Sequence, residues 1–217
     1  MDVQREIKFQ RILDAAIEAF AESGFHQCQV NKIARLAGVA DGTIYLYFKS
    51  KEDVLIRVFQ DRMGKFITGM SRELSQCKTT EARLRTIVRT HFSYMEENRS
   101  VAIVTQLELR QSDPRVRLPI NSTVSDYFNL IEGVIQQGID CGEVPKIDKR
   151  IARQLIFGAL DEATSDWVMA RSPRTLISGI EPMTALFKSA LRLKEEPKKI
   201  KRGAVEPKRE EDGNADS

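Results

Sequence analysis

Apolar residues recur at helical spacing along most of this chain. Between Arg5 and Glu22 they form one stripe at intervals of three and four residues, which predicts a first helix that ends at Ser23-Gly24. Similar stripes predict further helices over residues 51–76, 80–98 and 101–111, from Pro114 to a break at 138–145, from Asp148 through Trp167, and from Pro173 to Leu191. No alternating strand pattern of useful length appears. The sequence therefore predicts an all-α fold.

Two short apolar runs separated by a glycine lie between the first helix and Lys51. The first run places four residues on one helical face, Val30, Ile33, Ala34 and Ala37, and Gly38 suits the position just after a helix. The second run points Ile44 and Phe48 inward and leaves four residues outward, Gly42, Thr43, Leu46 and Tyr47. A glycine that allows close approach and two hydroxyls able to bind phosphate are unusual on a face that meets only water. The pattern predicts a helix-turn-helix whose second helix meets DNA.

The charge of the whole chain does not by itself point to nucleic acid. Its formal net charge is +3, from 34 basic and 31 acidic residues, and residues 1–53 carry seven basic and eight acidic side chains. Between Asn31 and Lys51, however, four Lys and Arg residues face one acid, Asp41. A focused basic patch beside a turn motif indicates DNA binding more specifically than a high isoelectric point does.

The remaining composition is that of an intracellular helical protein. The chain has 217 residues, of which 41% are hydrophobic and 30% are charged, so most of it is expected to fold. No 18-residue apolar run and no signal peptide is found, which predicts a cytoplasmic protein without a membrane span. Cys28, Cys77 and Cys141 are widely spaced and are expected to be reduced thiols.

The motifs taken together resemble those of the TetR-type transcriptional repressors. The match runs from about Ile12 to Leu55 and includes the segments VNKIARLAGV, GTIYLYF and KSKEDVL. Within that family, residues 102–112 and 150–169 are similar to the fatty-acid degradation repressors of Bacillus and its relatives. The resemblance implies a TetR-like all-α homodimer that leaves palindromic operator DNA when long-chain acyl-CoA binds. It also implies a helix-turn-helix DNA-binding domain over residues 1–50, a ligand-binding and dimerisation domain over 51–193, and a disordered charged tail over 194–217.

The family pattern carries specific DNA contacts onto this chain. It implies that Thr43, Tyr47 and Lys51 bind phosphates and that the first turn of the recognition helix meets base edges. The DNA-binding residues expected are Gln29, Asn31, Lys32, Ala40, Asp41, Gly42, Thr43, Tyr45, Leu46, Tyr47 and Lys51. Two positions depart from the family's helix caps, because Cys28 and Ala40 stand where Ser or Thr is common. Asp41 compensates at the positive helix end, or else reads a cytosine amino group.

An acyl-CoA needs an apolar tunnel for its tail and cations for its phosphates, since each buried methylene contributes about 0.8 kcal/mol. The predicted tunnel residues are Phe66, Met70, Phe92, Leu107, Tyr127, Leu130, Val134 and Phe157, and the predicted phosphate ligands are Arg110, Arg117 and Arg153. Without the family resemblance, the same apolar stripes would indicate an ordinary core.

Three alternatives remain open from the sequence. The regulator responds to another hydrophobic ligand such as a drug, or it senses thiol oxidation through Cys28, or the chain is a helical enzyme acting on acyl-CoA. An enzyme needs a nucleophile with a base or an acid/base pair, and only Asp161 and Glu162 in an apolar helix suggest one. We therefore predict no enzyme and no cofactor. His91 lies on an apolar stripe and is predicted to be a core or pocket-edge residue rather than a metal ligand.

Overall fold

The computed structural model describes residues 3–108 and 110–194, and all regular structure within these ranges is helical. The helices are α1 (Val3–Gln27), α2 (Val30–Ala37), α3 (Asp41–Ile44), α4 (Lys51–Ser75), α5 (Thr80–Glu97), α6 (Arg99–Glu108), α7 (Pro114–Asp140), α8 (Lys149–Met169) and α9 (Ile180–Ala190), with a 3₁₀ turn at Leu176–Gly179. The predicted all-α class and the order of the helices are confirmed. From residue 195 onward the predicted charged tail lies outside the described residues.

Helices α1 to α3 form a small head around a shared apolar core. Gly24 has φ 69° and interrupts α1 where the sequence predicted its end, and Gly38, with φ 62°, ends α2. Ile44 and Phe48 are almost fully buried, as their spacing predicted. Helix α3 is only four residues long, and residues 45–47 continue as a turn rather than as further helix.

Helix α4 has a side-chain cap at its start, whereas α2 and α3 have none. The Ser50 hydroxyl accepts a hydrogen bond from the amide of Asp53, while the Asp53 carboxylate accepts one from the amide of Lys49 at 2.9 Å, an arrangement close to a capping box. The residue that precedes α2 as its N-cap is Gln29, not Cys28 as expected. Neither Gln29 nor Ala40 caps its helix through a side chain. Cys28 instead turns inward and is 2% exposed.

Helix α4 joins the head to a larger helical body. Its 25 residues span roughly 37 Å at the usual helical rise, and it packs mainly against α7, with further contacts to α1 and α5. The body closes through the pairs α7–α8 and α5–α9. Helix α1 also packs against α6, so two helices of the body hold the head. None of the described helices is long and apolar enough to cross a membrane.

Gly138 marks a close crossing in the body. A Cβ at this position would lie 2.8 Å from the Thr80 hydroxyl and 2.9 Å from a Val144 methyl carbon. We expect Gly138→Ala to lower the free energy of unfolding by about 1–3 kcal/mol, because both neighbours would have to move. Gly133 is a matched control on the same helix, where a Cβ meets no atom within 4 Å. Urea denaturation at equal protein concentration should find Gly133→Ala neutral or stabilising, and equal losses in both variants would contradict the crossing.

Candidate DNA-binding surface and ligand cavity

The turn after α3 presents apolar and polar side chains to solvent. Leu46 is 74% exposed and Tyr45 is 58% exposed, while Asp41 and Gly42 are also exposed. Thr43 and Tyr47 are half-buried. An exposed leucine beside a glycine is the arrangement that the sequence pattern predicted for a face that meets another molecule.

Residues of α2 and α3 gather beside this surface. Two grooves of about 530 and 560 Å³ share Gln29, Asn31 and Asp41 in their walls. One groove also contains Tyr45 and Lys49, and the other contains Lys32 and Arg35. The structure thus brings most of the sequence-predicted DNA-binding residues together on one side of the head.

Two of the predicted phosphate-seeking cations already have partners within the protein. The Lys51 ammonium donates to the carbonyl oxygens of Phe25 (2.8 Å), Cys28 (3.0 Å) and His26 (3.1 Å). Lys32 pairs with Glu22 at 2.8 Å. The local charge excess counted along the sequence therefore overstates the positive charge available to DNA, and the phosphate contact of Lys51 stays a prediction.

The first turns of α1 also reach this surface, which the sequence reasoning missed. The Phe9 ring lies 6.4 Å from that of Tyr47 and stacks on Phe48 at 5.3 Å, and the Arg5 guanidinium lies 5.7 Å from the centre of the Tyr47 ring. Phe9 precedes Ile12 by one helical turn, so the stripe of α1 could have been extended back to it. Arg5 has no comparable sequence signal.

The centre of the body holds a small cavity of about 30 Å³. That volume is close to the share of one water molecule in the liquid, so this cavity, as formed by the described residues, is too small for an acyl chain. Its walls are formed by Phe59, Met63, His91, Met95, Thr105, Gln106, Val124, Tyr127, Phe157 and Asp161. Of the predicted tunnel residues, Tyr127 and Phe157 line this cavity, and Phe66 packs against Tyr127 with ring centres 5.3 Å apart.

The other predicted tunnel residues lie elsewhere. Leu107 is 47% exposed, so the expectation that it faces a common core is wrong; its neighbours Thr105 and Gln106 face the cavity instead. Phe92 is buried but lines a separate surface cleft of about 400 Å³ together with Trp167. Three residues belong to the packed interior without lining the cavity: Met70 and Val134 are buried and Leu130 is half-buried.

The three predicted arginines occupy different environments. Arg110 forms an ion pair at 2.6 Å with Asp161, whose carboxylate is mostly buried in the cavity wall. Arg117 is exposed near the start of α7. Arg153 does not stand at the cavity, because it pairs with Glu132 at 2.9 Å and covers the ring of Phe128 at 4.2 Å. Arg110 is therefore the predicted phosphate ligand that the structure brings to the cavity.

A chain of hydrogen bonds crosses the body beside the cavity. His91 Nδ1 lies 3.1 Å from the Tyr127 hydroxyl, and His91 Nε2 lies 3.2 Å from the Thr164 hydroxyl. Since Thr164 donates its own proton to the Leu160 carbonyl, Nε2 carries the imidazole proton and Tyr127 donates to Nδ1. Both ring nitrogens are satisfied, as predicted for a pocket-edge histidine. Burial lowers the pKa of His91 to about 4, so the ring is neutral at pH 7.

The environment of Cys28 bears on the thiol-sensing alternative. Burial raises the pKa of the Cys28 thiol, although Ser23 and two lysines act against this rise. A reactive thiol needs a low pKa and access to solvent. Cys28 has neither, and its sulfur contacts the carbonyl of Gln29 at 3.7 Å.

Comparison with known proteins covers both the head and the body. Residues 12–58 match the model of the bacterial regulatory proteins of the tetR family, and residues 59–190 match that of the YsiA-like protein C-terminal region. The chain is 48% identical over 167 residues to the fatty acid metabolism regulator protein of Bacillus subtilis strain 168, covering 76% of this chain and 86% of that protein.

Two solved structures agree with this similarity. The fatty acid degradation regulator FadR from Bacillus halodurans has a TM-score of 0.81 and 43% identity, covering 85% of this chain and 100% of that chain. FadR from Bacillus subtilis in complex with stearoyl-CoA has a TM-score of 0.80 and 44% identity, covering 82% and 97%. These relatives are transcriptional regulators, which confirms the prediction that the chain is not an enzyme.

The neutral, buried imidazole makes a pH-dependent contribution to stability. The unfolded chain takes up a proton at His91 below its ordinary pKa of 6.5, whereas the folded chain does so only near pH 4. The contribution is thus complete above pH 6.5, and about 3 kcal/mol is lost as the pH falls from 6.5 to 4. Chemical denaturation across this range should give a flatter loss for His91→Gln than for the parent. His26→Gln, which changes the other, exposed histidine, should keep the parent's slope; equal slopes in all three would contradict the assignment.

Proposed function

Because this chain belongs to the TetR family of DNA-binding transcriptional regulators, we propose that it represses genes of fatty-acid degradation and that long-chain acyl-CoA releases it from its operator. One observation carries the proposal: the similarity to a regulator solved with stearoyl-CoA extends over both the DNA-binding head and the cavity-bearing body. We assign residues 1–50 to DNA binding and 51–193 to ligand binding and dimerisation. The two family models meet between residues 58 and 59, inside α4, which both units share.

A homodimer is the form in which this regulator would bind a palindromic operator. Ile151 and Leu155 on α8 are 60% and 42% exposed, and Leu186 on α9 is 64% exposed. A second copy packing its α8 and α9 against these helices would remove the three side chains from water. Two heads related by a two-fold axis would then present their α3 helices to successive major grooves, about 34 Å apart.

The contacts proposed for each head follow from exposure. Gly42, Tyr45 and Leu46 project from the surface and would meet base edges, while Thr43 and Tyr47 would donate hydroxyls to phosphates. Asp41 occupies the first turn of α3, where a carboxylate offsets the missing side-chain cap at Ala40. The position of Asp41 in the first turn of α3 supports this stabilising role rather than a contact with a cytosine.

The entrance for an acyl-CoA is proposed beside Arg110. Arg110, Arg115 and Arg117 lie close in sequence around two exposed leucines, Leu107 and Leu118. A ligand with an apolar tail and several phosphates fits such a mixed surface. Its phosphates would compete with the buried Asp161 carboxylate for Arg110, which would open the wall of the cavity.

The small volume of the cavity gives a reason why ligand binding would alter DNA binding. A space of about 30 Å³ cannot hold an acyl chain, so the ligand must bind a conformation in which the surrounding helices have separated. A ligand shifts a conformational equilibrium by its difference in affinity for the two states. If operator DNA prefers the conformation with the small cavity, the ligand's preference for the other conformation appears as a loss of operator affinity.

The hydroxyl of Tyr47 provides a test of the DNA surface. Tyr47→Phe should weaken binding to operator and to unrelated duplexes alike, by about tenfold, because one hydrogen bond to a charged phosphate contributes about 1.5 kcal/mol. Fluorescence anisotropy with a duplex selected from a random-sequence pool measures this loss. The matched control is Tyr94→Phe, which removes a hydroxyl that donates to the carbonyl of Arg62 in the body. Unchanged DNA affinity in Tyr47→Phe would contradict the proposed contact between Tyr47 and phosphate.

The proposed function is tested by adding stearoyl-CoA to the complex with that duplex. We expect a loss of operator affinity of tenfold or more with stearoyl-CoA and none with free coenzyme A, which lacks the apolar tail. Arg117→Ala should raise the half-effective stearoyl-CoA concentration about fivefold through loss of a charged hydrogen bond. Arg72→Ala, which removes an exposed arginine on α4, should not. An operator complex unaffected by saturating stearoyl-CoA would contradict the proposal.

A further inference from the structure

The segment from Phe25 to Cys28, which is the end of α1 and the turn into α2, has backbone groups that bond to side chains of other helices. Gly24, with φ 69° and ψ 156°, interrupts the hydrogen-bond ladder of α1 just before Phe25. Helix α2 then begins without a side-chain cap at Gln29. Buried backbone groups need partners, and in this turn they come from two helices of the body.

Helix α4 supplies the partners for the carbonyl groups. The three donors of the Lys51 ammonium are directed to the carbonyl oxygens of Phe25, His26 and Cys28 at 2.8–3.1 Å, and the ammonium lies 4.7 Å from the centre of the Phe25 ring. Lys51 is the first residue of α4, so the start of this helix is fixed to the turn.

Helix α6 supplies the partner for the amide group. Glu108 Oε1 accepts a hydrogen bond from the Phe25 amide at 3.2 Å, and Glu108 Oε2 accepts one from the side-chain amide of Gln111. Glu108 is 7% exposed, and no cation of the described residues lies within salt-bridge distance of its carboxylate. A buried carboxylate held by these two donors has a strongly defined position.

Both helices that hold the turn also line the cavity. Helix α4 contributes Phe59 and Met63, two to three turns beyond Lys51. Helix α6 contributes Thr105 and Gln106, which precede Glu108 by only three and two residues. At a rise of 1.5 Å per residue, about 3–5 Å of helix separates the cavity wall from the contact with Phe25.

We propose that Glu108 is a positioning residue that couples the size of the cavity to the orientation of the helix-turn-helix. This inference rests on the proposed function. A ligand that pushes Thr105 and Gln106 outward moves Glu108 with them, and the Phe25 amide then loses its acceptor. The turn is left attached to α4 alone, and α2 and α3 change their angle to the body. Lys51 is a less direct link between the cavity and the helix-turn-helix, because two to three helical turns separate it from Phe59 and Met63.

The test compares two substitutions at Glu108 with a matched control. Glu108→Ala removes the acceptor, whereas Glu108→Gln keeps one carbonyl oxygen for the Phe25 amide. The control is Glu143→Ala, which removes a carboxylate that accepts from the Thr80 amide at 2.6 Å, far from the head in sequence and structure. For each protein, the ratio of operator Kd with and without stearoyl-CoA is measured, together with direct binding of stearoyl-CoA.

We expect Glu108→Ala to bind stearoyl-CoA as the parent does, while its Kd ratio falls at least fivefold toward 1. Glu108→Gln and Glu143→Ala should keep the ratio of the parent. A purely structural role would lower thermal stability without changing the ratio, and a parental ratio in Glu108→Ala would overturn the assignment.

The parent protein gives a second readout in case Glu108→Ala does not fold. Amide hydrogen exchange followed by nuclear magnetic resonance should show faster exchange at Phe25 on addition of stearoyl-CoA. Unchanged protection of this amide, in a sample where stearoyl-CoA binds and releases DNA, would also overturn the inference. If stearoyl-CoA does not change the operator affinity of the parent, the proposed function is contradicted, and the coupling role of Glu108 with it.

Discussion

The connection between the head and the body depends on backbone groups between Phe25 and Cys28 whose hydrogen-bond partners are side chains of α4 and α6. Gly24 interrupts α1, and the carbonyls and the amide that this break frees are bound by Lys51 of α4 and Glu108 of α6. Withdrawal of Glu108 would leave the buried Phe25 amide without its acceptor, and withdrawal of Lys51 would remove the donor from three carbonyl oxygens. The position of α2 relative to the body is therefore set by two helices at once.

The same two helices, together with α5, α7 and α8, line the centre of the body, where little space is left. The cavity of about 30 Å³ lies beside His91, whose two ring nitrogens both have hydrogen-bond partners, so this region offers neither apolar space nor a free ring nitrogen to a ligand. Dense packing means that an inserted chain moves helices rather than filling an existing void. Release from DNA then follows from the free energy needed to enlarge this small cavity while α4 and α6 remain bonded to the head.

Much of the fold was accessible from the sequence because it depends on local spacing. Ile44 and Phe48 are buried, and Gly24 and Gly38 end their helical segments, each as the pattern of nearby residues indicated. The errors arise where partners are distant along the chain. Periodicity alone cannot separate Leu107, which faces solvent, from its neighbour Gln106, which faces the cavity. Nor can a count of cations reveal that Arg153 is paired with Glu132.

The most direct measurement is a crystal structure of this protein with stearoyl-CoA. The acyl chain is expected in an enlarged cavity between helices α4, α5, α6, α7 and α8, with Glu108 moved out of hydrogen-bonding distance of the Phe25 amide. An acyl chain bound elsewhere, or a filled cavity with the 3.2 Å contact between Glu108 and Phe25 intact, would contradict this expectation.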